Sequence, residues 1–522
     1  MAFKLTYSTM FNPPEELHAR FEAALGRVRH ELGATHAMHI DGQEALGART
    51  TVTRSPIDER LHLGTFTTGD VADVDRAVRA AARAFESWRR VPMAERLALV
   101  RRVAELLEDR VYTIAAALAL EVGKNRMESL GEAQETADFF WGYAAEFERN
   151  AGYERAMPDD PLEGWVSHNR SVLKPYGVWG VIAPFNFPLA LAGGPTAAAL
   201  VTGNTVVLKG SSDTPWAGRL LADCIGDAGI PAGVFNYLTG SGSTVGDALI
   251  RHPALAGVTF TGSFDVGMGI LRAFASGRWP RPCLAEMGGK NPCIVTARGD
   301  LERAVTGIVR SAYGLSGQKC SALSRVYVED AVADELLGRL VEAVQAVTVG
   351  DPTRREIHMG PVITARAAGD FERCSARLRV GGGRILTGGT RLTGGDLGHG
   401  HFVAPTLAEA PAGHPLYQEE MFLPILMVCR VADLDEGLRL ANAAGLGLTA
   451  GCYGSAEEVR TFLDRIEAGV TYVNRPQGAT TGAWPGYQAF GGWKGSGSTG
   501  KAIGSFYYLP QYMREQSQTW VE

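Results

Sequence analysis

The run Gly317-Gln318-Lys319-Cys320-Ser321-Ala322 sets a cysteine between a lysine and a serine, just after a helical pattern from Leu301 to Leu315 has ended. A cysteine placed there can be presented to a ligand. A free thiol with a pKa near 8.5 is only roughly 3 per cent thiolate at pH 7, so a nucleophilic cysteine needs a neighbouring cation, backbone donors or a base. Lys319 is the adjacent charge. The competing reading is that Cys320 packs, since an unbridged cysteine behaves as a small buried hydrophobe. Other segments of the chain have to decide between the two.

Several segments carry groups that would suit such a thiol. In Phe185-Asn186-Phe187-Pro188, which closes an apolar strand, the asparagine either caps the next helix or offers its NH2 to a developing oxyanion. Glu286-Met287-Gly288-Gly289-Lys290 puts a carboxylate before two glycines, where it serves as a general base or stands as a solvated turn residue. The stretch Gly240 to Gly246 reads GxGxxxG, one residue longer than the usual dinucleotide fingerprint. The strand that follows ends in Phe260-Thr261-Gly262-Ser263 and opens a helix, which would put Ser263 and free amides at a helix N-terminus facing a ligand. A further strand ends at Lys209, where a dinucleotide site normally shows an acid for the ribose hydroxyls; a lysine could donate instead. Ser212, small and uncharged, would not repel a 2'-phosphate. His252, His358, His399 and His401 have no metal spacing, and neither a Gly-x-Ser-x-Gly elbow nor a Walker lysine motif occurs. No metal site is expected.

The elements that must position these groups alternate. From Asp70, residues Val74, Val78, Ala81, Phe85 and Trp88 recur at steps of three and four and predict a helix. A second helix is expected from Pro92 through Leu118 with Gly123 as its stop, and a third over Glu128 to Arg149 with Phe139, Tyr143 and Phe147 on one face. After Gly177 come apolar strands at Val178 to Ala183, Thr205 to Lys209, Val234 to Thr239 and Gly257 to Phe260, separated by helices. That rhythm predicts a parallel sheet covered on both faces, with ligand at the carboxyl ends of its strands. A second α/β pattern begins at Pro292 to Thr296 and continues through strands at Arg325 to Val328, Ile425 to Arg430 and Val470 to Val473. Ala151 to Pro175 and the tail after Ser498 fit neither lobe and are read as an arm for contacts between subunits.

At 522 residues the chain exceeds a single core. Net charge is -6 with no basic run, so nucleic acid is not an expected partner. The seven cysteines are scattered with no disulfide-like cluster, which points to a reducing compartment and a cytoplasmic protein. The N-terminus lacks a signal-type apolar core and no long apolar run occurs, so neither export nor a membrane span is expected. The 64 glycines are spread among apolar runs and mark turns.

Taken together, PFNFPLA, GNTVVLKGSS, FTGS, EMGGKNP, GQKCSA, EEMFLP and FGGWKGSG, in that order, resemble the NAD(P)-dependent aldehyde dehydrogenase superfamily over nearly the whole chain. The resemblance implies two doubly wound α/β lobes with a small oligomerisation arm: a Rossmann-like cofactor domain at 1–152 and 177–287, a catalytic domain at 288–497, and an arm at 153–176 and 498–522. It implies Cys320 as nucleophile, Glu286 as general base, and Asn186 with the Cys320 amide as oxyanion hole. Lys209 and Ser212 would meet the adenosine ribose and Ser263 the pyrophosphate, with Ile182, Pro184, Phe185, Gly246 and Gly262 around the cofactor and Glu420 and Phe422 at its nicotinamide end. Phe187 and Phe490 would line the aldehyde channel. The chain is most similar to the branch that oxidises glutamate γ-semialdehyde, the 1-pyrroline-5-carboxylate dehydrogenases. The marks are His39-Ile40-Asp41-Gly42-Gln43, a Glu132-x-x-Glu135-x-x-Asp138-Phe139 helix, and Thr480-Thr481-Gly482-Ala483 before Gln488-Ala489-Phe490. That branch implies a substrate carboxylate held by the Gly482 and Ala483 amides and Ser321. Trp484 and Pro485 depart from its usual loop, and Gly210 from the usual proline. NAD is the expected cofactor, with NADP open, and a homo-oligomer built on dimers the expected assembly. Another semialdehyde, a simple aldehyde, acyl transfer to coenzyme A, and a non-catalytic binding role stand as alternatives.

Overall fold

Five parallel strands, in spatial order Cys283–Glu286, Leu255–Thr261, Val178–Ile182, Thr205–Lys209 and Phe235–Leu238, form one sheet, which Met38–Ile40 and Gln43–Ala45 extend antiparallel. Every residue of Thr205–Lys209 and Phe235–Leu238 is buried, as near-continuous apolar strands must be when helices cover both faces. The chain enters at Val178–Ile182, winds outward through Thr205–Lys209 and Phe235–Leu238, then crosses back to lay Leu255–Thr261 on the other side. This reversal opens a crevice at the carboxyl ends of Val178–Ile182 and Leu255–Thr261, where doubly wound sheets take their ligands. The computed structural model describes residues 5–6, 9–47, 49–478 and 484–522.

A second sheet runs Arg384–Thr387, Thr406–Glu409, Ile425–Val431, Leu323–Glu329, Asn291–Val295, Thr449–Tyr453 and Val470–Val473, parallel except for its first pair. Alternating side chains supply two cores: Ile294 and Met427 face one, Val295 and Val428 the other. Away from both sheets, Met513–Val521 pairs along its length with Ser167–Pro175, whose other edge takes Glu154–Met157.

The helices differ from the sequence pattern in one informative place. Asp70 caps Val71–Trp88 through a reciprocal capping box with Asp73, as the pattern suggests. The helix expected from Pro92 to Leu118 instead breaks at Arg110 into Met93–Asp109 and Val111–Val122, the second ended by left-handed Gly123. Its first half buries one stripe and its second is buried nearly all round, so the chain has to turn inward between them. Arg126–Arg149 buries Phe139, Tyr143 and Phe147, and with them Glu128, Glu132 and Glu135. Helices Glu15–His30, Ala365–Val380 and Leu434–Asn442 and strand Thr449–Tyr453 went unpredicted. The last two are short, and glycine interrupts the strand's apolar run. The extra residue of GxGxxxG is taken up by a π turn at Gly242–Gly246, where the Gly246 N–H reaches back to the Ser241 carbonyl.

Candidate active site

Asn186 lies in the turn between strand Val178–Ile182 and helix Ala190–Val201. It does not cap that helix; Leu189 stands at the cap position. The Asn186 side chain is buried and its Nδ2 donates to the Gln318 carbonyl at 3.0 Å. That bond joins the first sheet's rim to the segment leading into Cys320.

The thiol is carried on an unusual turn. After helix Leu301–Tyr313, Leu315, Ser316 and Gly317 take φ of 46, 54 and 68°, a left-handed run that non-glycine residues seldom adopt. Each such residue costs about 1–3 kcal/mol unless its surroundings fix it. Here they do. The Leu315 N–H donates to Glu128 Oε2 at 3.1 Å, and Ser316 Oγ donates to the Gly360 carbonyl at 2.7 Å. Gln318 Oε1 accepts from the Ile363 N–H at 2.9 Å. At Gly317 a Cβ would run into the Leu423 backbone. On the far side of the turn, Asn291 Nδ2 donates to the Cys320 and Ala322 carbonyls at 2.7 and 2.8 Å.

Lys319 does not act on the thiol: its ammonium is buried against Glu128. Burial of the thiol, then the Glu420 and Glu286 carboxylates, push Cys320 up to about 12, with the Ser321 and Cys320 backbone N–H groups opposing. At neutral pH the cysteine therefore holds its proton and needs a base. Glu286, at the end of Cys283–Glu286, is pushed by burial to about 8 and accepts the Gly492 N–H at 3.2 Å. It is a partly buried carboxylate poised near neutrality, and the solvated-turn alternative falls.

The residues expected around a dinucleotide line the same crevice. Ser263 opens helix Phe264–Ala275, is exposed and makes no side-chain cap bond, so the first-turn amides and its hydroxyl face outward. Lys209 is buried at its strand end with Nζ on the Gly210 carbonyl at 2.9 Å; burial lowers it to about 8, with Asp213 opposing. Ser212 Oγ donates to the Gly240 carbonyl at 2.9 Å. Gly246 packs beside Lys209: a Cβ there would be in van der Waals contact with the lysine's Cδ at 3.8 Å. Open helix amides, a serine and a lysine next to glycine fit a pyrophosphate and its ribose. Across the crevice, Glu420 accepts the Gly289 N–H at 2.8 Å and is pushed by burial to about 7. A Cβ on Gly288 would strike that carboxylate. Phe422, at φ 58°, meets Phe185 edge-on at 5.8 Å, so the two sheets' loops touch where Ile182 and Pro184 end the strand.

On the channel side, Phe187 carries Lys124 Nζ 3.5 Å from its ring centroid, and Phe490 exchanges two backbone bonds of 2.9 Å with Ile503. Ser321 is buried beside the cysteine. Gly482 and Ala483 lie outside the described residues. Trp484 is buried, with its indole N–H donating to Asp138 Oδ2 at 2.8 Å, so the departing residue leans on helix Arg126–Arg149. Sequence reasoning missed Lys124, Glu128 and Asp213, and named Glu132 and Asp138 only as marks of a helix, without a role. The first helix carboxylates were findable: Glu128, Glu132 and Glu135 share the helical stripe of Phe139 and Tyr143, and acids on a stripe that must be buried need partners.

A thiol that keeps its proton unaided, with a carboxylate titrating near neutrality within electrostatic reach and a dinucleotide-type crevice alongside, is equipped for covalent oxidation at a carbonyl. The chain belongs to the aldehyde dehydrogenase family, whose profile matches residues 44–517. It is 36% identical over 497 residues to the 1-pyrroline-5-carboxylate dehydrogenase of Geobacillus thermodenitrificans, covering 94% of each chain. It is 35% identical over 495 residues to 1-pyrroline-5-carboxylate dehydrogenase 2 of Bacillus subtilis, covering 93% of each. Among solved structures it superposes on the 1-pyrroline-5-carboxylate dehydrogenase from Thermus with bound NAD, with a TM-score of 0.92 at 32% identity and 99% of both chains covered. The two-lobed α/β fold is that of the family.

Proposed function

We propose that this chain oxidises L-glutamate γ-semialdehyde, the open form of 1-pyrroline-5-carboxylate, to L-glutamate with NAD, as a step of proline degradation. Glu286 takes the proton of Cys320 and passes it to solvent, and Cys320 Sγ attacks the aldehyde carbon. The oxyanion is held by the Asn186 amide and the Cys320 N–H, and a preorganised donor of this kind contributes about 3–4 kcal/mol. A bound nicotinamide supplies the hydride acceptor. Lys209 and Ser212 orient the adenosine ribose, Ser263 the pyrophosphate, and Glu420 with Phe422 the other end. Glu286 then takes a proton from water, which hydrolyses the thioester on Cys320; its elevated pKa suits that task. Phe187 and Phe490 wall the aldehyde, and Ser321 with the Gly482 and Ala483 amides receives the carboxylate. Asp213, close enough to oppose the lowering of Lys209, favours NAD over a cofactor with an added 2'-phosphate.

The observation that carries this reading is the 3.0 Å bond from Asn186 to the Gln318 carbonyl, because it sets an oxyanion donor from one sheet against the nucleophile's turn from the other. The relatives' names support the substrate. Trp484 and Pro485 favour a second reading, another semialdehyde or a simple aldehyde, by changing the carboxylate loop. The first sheet with its helices reads as the cofactor domain, 1–152 and 177–287, and the second as the catalytic domain, 288–497. The three-stranded arm, 153–176 and 498–522, exposes Trp165, Val166, Trp520 and Val521 and suits pairing with a second copy in a dimer-based assembly. All seven cysteines are free, in keeping with a cytoplasmic enzyme. Among the described residues no helix is long and apolar enough to cross a membrane. The test is NADH formation compared across glutamate γ-semialdehyde, succinate semialdehyde and simple aldehydes. A clear preference for the first is expected; equal rates would remove the substrate and keep the dehydrogenase.

A further inference from the structure

Asn186 and Cys320 lie on loops attached to different sheets, so no strand pairing fixes the distance between them. Besides the bond from Asn186 to the Gln318 carbonyl, one helix spans the gap. On Arg126–Arg149, Glu132 Oε1 accepts the Leu189 and Ala190 N–H groups at 2.9 and 3.2 Å, which fixes the chain three residues beyond Asn186. One turn earlier, Glu128 Oε2 accepts the Leu315 N–H at 3.1 Å while Oε1 takes the Lys319 ammonium. Glu128 thus closes both ends of the left-handed turn that presents Cys320. Lys124 neutralises Glu132, and its ammonium lies 3.5 Å from the centre of the Phe187 ring. All four charges are buried, and Lys124 and Glu132 are fully so.

Such a cluster is poor value as a source of stability, since well-packed apolar side chains in place of a buried ion pair are often neutral or better. Its geometry has another use. We propose that Glu128 and Glu132 are positioning residues that set the width of the oxyanion hole, Glu132 by holding the Asn186 segment and Glu128 by holding the Cys320 turn, with Lys124 and Lys319 as their buried counter-charges. The proposal rests on the roles given above to Asn186 and Cys320. Neither carboxylate touches substrate; each acts through a backbone segment.

A double-mutant cycle on the full-length enzyme tests this. Glu132→Gln should lower kcat by roughly a hundred-fold, the order of loss expected from a small misplacement of reacting groups, with NAD binding by fluorescence titration and KM for the aldehyde little changed. In an Asn186→Ala background the same substitution should cost less than about twofold, because its effect passes through Asn186. Equal losses in both backgrounds, or an unaffected kcat in Glu132→Gln, would overturn the proposal. Since a lone Glu132→Gln leaves the Lys124 ammonium unpaired, the paired replacement Lys124→Met with Glu132→Leu serves where that protein does not fold. It should fold, bind NAD and lose kcat, and wild-type kcat in it also overturns the proposal. Cys320→Ala and Asn186→Ala run alongside separate the two failures. Turnover retained in either one sinks the reading of the site itself, whereas loss in both with Glu132→Gln unaffected sinks only the positioning role.

Discussion

The two sides of the crevice are built by opposite means. On the side proposed for the dinucleotide the groups are backbone amides, small hydroxyls and glycines: Ser263 at an open helix start, Ser212 on a loop carbonyl, Gly246 beside Lys209. On the thiol side they are side chains fixed from behind. Asn186, Asn291 and Glu128 bond backbone groups of the turn, Gln318 ties the turn to the Ile363 N–H, and Glu132 holds the backbone just beyond Asn186. The difference follows from what each side must do. A cofactor that enters and leaves is met by donors that cost little to expose, whereas a transition state that lasts one bond change needs donors that do not relax.

This contrast can be broken by mutation, because damage to the thiol side should fall on kcat and damage to the dinucleotide side on KM for NAD. The largest effect is expected for Cys320→Ala, which should reduce NADH formation by on the order of 10⁴-fold or more while NAD still quenches tryptophan fluorescence. Retained turnover would mean that the attacking atom lies elsewhere. Next, Asn186→Ala should cost about 100- to 1000-fold in kcat with KM for NAD nearly unchanged, measured by steady-state kinetics.

The base proposed above, Glu286, gives a pH signature. Burial raises its pKa to about 8, and a general base works only when deprotonated, so the rate of thioester hydrolysis should climb with pH up to that value and level off above it. Glu286→Gln should lower the plateau and flatten the climb; an unchanged profile would assign the limb to another group.

On the dinucleotide side, Lys209→Met should raise KM for NAD by about tenfold and leave kcat close to wild type. If it instead lowered kcat as steeply as Asn186→Ala, the two sides would not be separable. The smallest effect is expected from Asp213→Asn, which should improve use of NADP relative to NAD a few-fold, with the gain shrinking at high salt because Asp213 lies near the surface.

Legibility in the sequence followed the same division. Ser263, Gly262, Lys209 and the GxGxxxG loop could be placed because a strand end followed by glycine and a helix start has a local signature, and so does the fold rhythm from Val178 to Ala275. Even there the π turn at Gly242–Gly246 was not foreseen, since the fingerprint assumes an ordinary helix start. For Asn186 and Glu286 the residue types were plain but each had a bland alternative. Only the bond from Asn186 to Gln318, and the burial of Glu286, removed those alternatives. Lys319 shows the reverse: adjacency in sequence suggested a thiol activator, and Glu128, remote in sequence, claims it.

By itself the sequence determined which groups could react, the alternation that makes two doubly wound sheets, and the family to which their order belongs. Those properties are local, written in residue type and in spacing along a single element. Tertiary structure alone decided that Asn186 reaches the turn that carries Cys320, that the cysteine keeps its proton, and that Glu128 and Glu132 brace both halves of the site from one helix. These depend on the burial and proximity of residues far apart in the chain. Burial sets the cost of each charge and proximity its partner, and neither is fixed until the sheets and helices have packed.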